Sequence, residues 1–158
     1  MVLDNTELQK LDGRTIAMVD GGFDPLHHGH LKYFFEAKKL GYKVLCNMRG
    51  DSYLTEGKKR YPVLEERYRA ELIDALKPID YVFICNTSTA DVLNLLKPKF
   101  YCKGADWKAR GLPSVELELC KKHNIEVVYL DTMLDSSTRI FGELKKSIIN
   151  DYLNEKGG

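Results

Sequence analysis

Five short β-prone runs alternate along this chain with five segments of helical periodicity, and few folds accommodate that order. The runs lie at residues 15–19, 42–46, 81–85, 99–103 and 125–130. Leu31, Phe34, Phe35 and Leu40 recur at helical spacing before Gly41. Pro62 opens a second helix through Leu64, Arg67, Leu72, Ile73 and Leu76, which Pro78 ends. Ser88 or Thr89 caps a third, through Val92, Leu93, Leu95 and Leu96. A fourth covers residues 113–122, and the last runs from Asp135-Ser136-Ser137-Thr138 to Leu153. Residues 47–61 are polar and basic, carry Gly50 and Gly57, and read as a mobile loop.

This alternation predicts an α/β, Rossmann-like fold: a doubly wound, five-stranded parallel sheet in a three-layer sandwich. The 158 residues fit a single domain, with 1–12 and 154–158 as loosely ordered ends. Ligands of such sheets sit outside the carboxyl ends of the strands, where the winding direction reverses. Charge narrows the partners. Lysine and arginine number 24 against 23 aspartates and glutamates, a balance that argues against a nucleic-acid partner. The apolar stretches are too short for a membrane span and residues 1–10 lack an export-signal core, so a cytoplasmic protein without a membrane partner is expected. Cys46, Cys85, Cys102 and Cys120 form no C-x-x-C pair and read as reduced, buried thiols.

Three of the four histidines fall within four positions, in Gly21-Gly22-Phe23-Asp24-Pro25-Leu26-His27-His28-Gly29-His30. The segment joins the first strand to the first helix. Glycines there let backbone approach a ligand closely. The helix start offers free N–H groups and a positive dipole end, which suits phosphate. Imidazoles flanking Gly29 can donate to phosphate oxygens. Two other readings stand beside this one: histidines that only cap the helix, and a zinc site built on His27, His28 and His30. Neither the Walker A pattern nor G-x-G-x-x-G is present.

This segment, Gly21 to His30, resembles the G-x-F-D-x-x-H-x-G-H signature of the cytidylyltransferase-like nucleotidyltransferase superfamily. Further resemblances run from about residue 15 to 145. Residues 58–67 resemble the family's lysine loop and E-x-R helix start, Lys103-Gly104-Ala105-Asp106-Trp107 its G-x-D-[WY] element, and Ser136-Ser137-Thr138 its serine–threonine triplet. The resemblance implies transfer of a nucleoside monophosphate from a triphosphate to a phosphorylated acceptor, with Mg²⁺ or another divalent cation on the triphosphate and no resident metal. It implies His27, His30 and Lys58 as catalytic residues, with His28 as a spacer. The nucleotide-binding set it implies is Gly22, Phe23, Asp24, Lys59, Arg67, Gly104, Asp106, Trp107, Ser136, Ser137 and Thr138, with Asp24 ordering the glycine turn. Two types within the family compete. The spacing from Lys58-Lys59 to Arg67 looks like the glycerol-3-phosphate cytidylyltransferases, whereas Arg60-Tyr61-Pro62-Val63 and Lys103-Gly104-Ala105-Asp106 look like the heptose-phosphate adenylyltransferases. The expectation places CTP slightly ahead of ATP, with a polyol or sugar phosphate as acceptor. The family is often dimeric, so a homodimer is among the expected partners.

Overall fold

A computed structural model describes residues 1–131 and 137–156; for 137, 138, 150, 151 and 153–156 it describes backbone alone. Its strands are β1 (Val2–Leu3), β2 (Ile16–Gly21), β3 (Lys43–Arg49), β4 (Tyr81–Cys85), β5 (Phe100–Gly104) and β6 (Glu126–Leu130). Its helices are α1 (Asn5–Lys10), α2 (His28–Lys38), α3 (Glu66–Asp74), α4 (Thr89–Leu96), α5 (Asp106–Arg110), α6 (Ser114–His123) and α7 (Ser137–Lys156). The strands form one parallel sheet in the order β1-β4-β3-β2-β5-β6. The winding reverses between β2 and β5, so the carboxyl end of β2 is the place for a ligand.

Period-two alternation divides the core between the two faces. Ala17, Val19, Val44, Cys46, Val82 and Cys102 pack against Phe34 and Ala37 of α2 and Ala70 and Ile73 of α3. Met18, Leu45, Phe83 and Tyr101 face the other way, onto Leu93 and Leu96 of α4 and Cys120 of α6. All four cysteines are free and buried. Among the described residues, no helix is long and apolar enough to cross a membrane.

Four local features differ from the sequence expectation. The sheet has six strands: Val2 and Leu3 pair with Val82 and Phe83 at the β4 edge, a stretch too short to show alternation. The first dozen residues are accordingly structured, and α1 is closed by a capping box between Asp4 and Glu7. Residues 47–61 are not a continuous loop. β3 runs on to Arg49, and a π-helical turn covers Tyr53–Gly57. The second long helix starts at Glu66 and not at Pro62. The reason is chemical: the Val63 and Leu64 N–H groups donate to the Asp24 carboxylate at 2.8 and 3.0 Å, which holds this stretch outside the helix.

Candidate active site

The β2–α2 connection begins where β2 leaves the sheet. Phe23 takes a left-handed φ of 48° and turns its ring inward, where it meets His30 and Phe34 edge-on, both at 5.0 Å between centroids. Asp24 follows, its side chain 0% exposed. Besides Val63 and Leu64, its carboxylate takes Arg60 Nη1 at 2.5 Å. Phe23 and Asp24 thus lie beneath the turn and fix its shape.

Above them sit the two histidines. His27 is the N-cap of α2, with Nδ1 accepting from the His30 N–H at 3.4 Å. The two rings stack at 3.6 Å between centroids and 21°. Gly29 between them is buried, and His28 points to solvent. The helix entry therefore presents a stacked imidazole pair next to the backbone amides and positive end of the first helical turn. Among the described residues, no three His, Cys, Asp or Glu side chains are grouped to hold a metal ion.

A third group reaches the same turn. A Cβ built on Gly22 would lie 3.1 Å from Leu54 Cδ2 and 4.0 Å from Lys58 Nζ, so the ammonium stands over bare glycine backbone. Part of the Lys58 side chain is exposed, yet burial around the ammonium, followed by the charges of Arg60 and Arg110, pushes its pKa down from the ordinary lysine value. Lys59 takes a left-handed φ of 51° and is exposed. Of the two lysines, Lys58 is the one that approaches Gly22. Arg60, third in the basic run, is committed to Asp24 and lies over the Phe141 ring at 5.0 Å.

The two arginines of α3 are placed differently. Arg67 is exposed and pairs with Glu65 at 3.2 Å and the Tyr68 ring at 4.4 Å. Arg69, two positions on and 1% exposed, is the arginine at the site's base. Its guanidinium donates to the carbonyls of Leu64 (2.9 Å), Gly22 (2.5 Å) and Arg49 (2.9 Å) and to the Asp51 carboxylate (2.5 Å). Asp51 and Glu66 exchange hydrogen bonds at 2.8 and 3.1 Å. One side chain therefore ties the glycine turn, the end of β3 and the start of α3 together. The usable signal was its phase: residue 69 shares the α3 face of Ala70 and Ile73, whereas residue 67 does not.

On the far side of the sheet edge, Lys103 is buried against Asp20 at 2.7 Å. Tyr101 Oη lies 2.9 Å from Glu116, whose pKa burial raises. Trp107 stands in the short α5 with Lys103 Nζ 4.1 Å and the Arg110 guanidinium 4.8 Å from its ring centre. Trp107 is half-buried and also packs against the apolar core. Asp106 folds back over Gly104, where a Cβ would meet its Oδ1 at 2.7 Å, and pairs with Arg110 at 3.4 Å. Ser137 and Thr138 open α7; their side chains and the whole of Ser136 lie outside the described residues.

A family model described as cytidylyltransferase-like matches residues 18–147. The bifunctional protein HldE of Pelobacter propionicus is 34% identical over 77% of this chain and 25% of its own length. That of Campylobacter fetus is 30% identical over 91% of this chain and 31% of its own. The chain thus spans less than a third of these curated relatives. Among solved structures, a lipopolysaccharide core biosynthesis protein from Thermoplasma volcanium is 28% identical, with a TM-score of 0.63 over 76% of this chain and 98% of that one. Pantothenate synthetase from Thermus thermophilus shares the fold, at 18% identity and a TM-score of 0.59 over 85% of this chain and 62% of its own.

Proposed function

The chain belongs to the cytidylyltransferase-like family of nucleotidyltransferases, and from that premise we propose that it transfers a nucleoside monophosphate from a nucleoside triphosphate to a small phosphorylated acceptor, releasing pyrophosphate. The observation that carries this reading is the convergence of the stacked His27–His30 pair, the α2 amino end and Lys58 on the Gly22 turn.

An oxygen of the acceptor phosphate attacks the α-phosphorus, and the bond from that phosphorus to the bridging oxygen of pyrophosphate breaks. The attacking phosphate is ionised at neutral pH, so the step needs no protein nucleophile and no strong base. What it needs is alignment and donors for the charge that grows on the phosphoryl oxygens. His27 and His30 supply imidazole N–H groups, the helix end supplies backbone N–H groups, and Lys58 supplies a cation. Mg²⁺ brought with the triphosphate would contribute charge neutralisation.

The HldE matches and the lipopolysaccharide core neighbour support the second of the two types that the sequence resembles, with ATP as donor and a sugar phosphate as acceptor. The test is pyrophosphate release from ATP, CTP, UTP and GTP, each with Mg²⁺ and a panel of sugar and polyol phosphates. Release that requires an acceptor and is fastest with ATP and a sugar phosphate is expected. Fastest release with CTP overturns the base assignment. Release from no pair, with a triphosphate still raising Tm, reduces the protein to a nucleotide binder.

Lys58→Ala is expected to lower kcat by at least about tenfold while weakening triphosphate binding less, since its charge matters most as the phosphorus becomes five-coordinate. An unchanged kcat removes Lys58 from the mechanism.

A further inference from the structure

A second polar region lies at the carboxyl edge of the sheet, on the face away from α2. Arg49, the last residue of β3, is in register with Cys85, and continuation of the β2–β3 register sets it beside Gly22. Its Nη1 donates to Cys85 Sγ at 3.3 Å, and its guanidinium lies 4.5 Å from the centre of the Tyr53 ring. Its Nε is buried with no hydrogen-bond partner. The neighbouring arginines are engaged: Arg60 with Asp24, Arg67 with Glu65, Arg69 with Asp51. Among the described residues Arg49 forms no ion pair, although its charge is felt at Asp91 and Glu116. Two positions back on the same face is Asn47, 0% exposed, with both amide atoms lacking a partner. A buried amide and a buried guanidinium nitrogen left unmade are costly, and a polar ligand removes that cost.

The Tyr53 ring also carries Lys58 Nζ at 5.9 Å, so one aromatic side chain gathers two cations beside Gly22. Displacement at phosphorus requires the entering and leaving oxygens to lie roughly in line. With the triphosphate's leaving end on the His27–His30 side, the entering phosphate arrives across Gly22, on the side where Arg49 stands.

We propose that Arg49, with the Asn47 amide beneath it, is the subsite that takes the phosphomonoester of the acceptor, an assignment that rests on the nucleotidyl-transfer reading. A guanidinium suits a phosphate dianion, to which it can present two N–H groups at once. The test uses the full chain saturated with the α,β-methylene analogue of ATP, titrated calorimetrically with inorganic phosphate. Folding of each variant is checked by thermal unfolding. Arg49→Gln is expected to weaken phosphate binding by about 10- to 100-fold, the loss of one charge-assisted contact. Affinity for the analogue should stay within about twofold, because Arg49 lies on the acceptor side. Arg49→Lys, which keeps the charge and covers the case of a poorly folding glutamine variant, is expected to recover part of the loss. In turnover, the acceptor KM rises and the triphosphate KM does not. Equal phosphate affinity in wild type and Arg49→Gln, or none in wild type, overturns the subsite even where pyrophosphate release proceeds normally. Arg49-dependent phosphate binding without turnover under any pairing leaves the subsite standing and removes the transferase reading instead.

Discussion

Replacing His30 with alanine is expected to lower turnover by about 10²–10³, the usual cost of one donor to a developing phosphoryl charge. The ring stacks on His27 and touches Phe23 edge-on. Its removal leaves the β2–α2 turn held by Asp24 and Arg69, which bind that segment from below. The fold should therefore survive, and thermal unfolding checks this alongside the rate. His27 needs a different variant because it is also the N-cap of α2. Asparagine is a good N-cap without an imidazole, so His27→Asn separates capping from catalysis. A rate loss of similar size with a nearly unchanged Tm is expected. Near-wild-type rates in both variants would remove the histidine pair from the mechanism.

The largest stability effect is expected at Arg69. Its guanidinium satisfies three carbonyls and one carboxylate from a position that is 1% exposed. Truncation to alanine strands these acceptors and leaves a void under the glycine turn. The expected cost is about 3 kcal/mol, toward the lower end for breaking a buried pair because Asp51 keeps some access to water. Urea unfolding at neutral pH measures it. Arg67→Ala is the matched control, and as an exposed ion pair its expected change is within about 0.5 kcal/mol. Equal midpoints for the two variants would show that the buried hub does not stabilise the fold.

The strand–helix alternation and the histidine segment were legible because each is a local pattern. β2, β4, β5, β6 and the start of α2 fall close to where periodicity puts them. What stayed hidden depends on contacts distant in sequence. Asn47 and Arg49 read as loop because they are polar, yet they continue a central strand whose carboxyl end borders the site. Pro62 looks like a helix start, but the amides that follow it are taken by Asp24, some 39 and 40 positions earlier. Arg67 and Arg69 are chemically alike and differ only in helical phase, which a nine-residue helix shows weakly. The two cations beside Trp107, Lys103 from β5 and Arg110 from the end of α5, are likewise set by the fold.

The anchoring of the basic run bears on the entropy of the catalytic cycle. Leu54 is fully buried and Arg60 is fastened to Asp24, so the span that carries Lys58 is pinned at both ends. Only residues 55–59 lie between these anchors, and the helical turn over Tyr53–Gly57 already shapes the first three of them. At roughly 1–2 kcal/mol of backbone entropy per residue, a short tethered span demands far less binding energy to close than a free loop of residues 47–61. It also keeps the ammonium at a high effective concentration over Gly22 between turnovers. In the proposed mechanism Asp24 thereby shortens the search that Lys58 makes in each cycle, although its own carboxylate lies wholly beneath the surface.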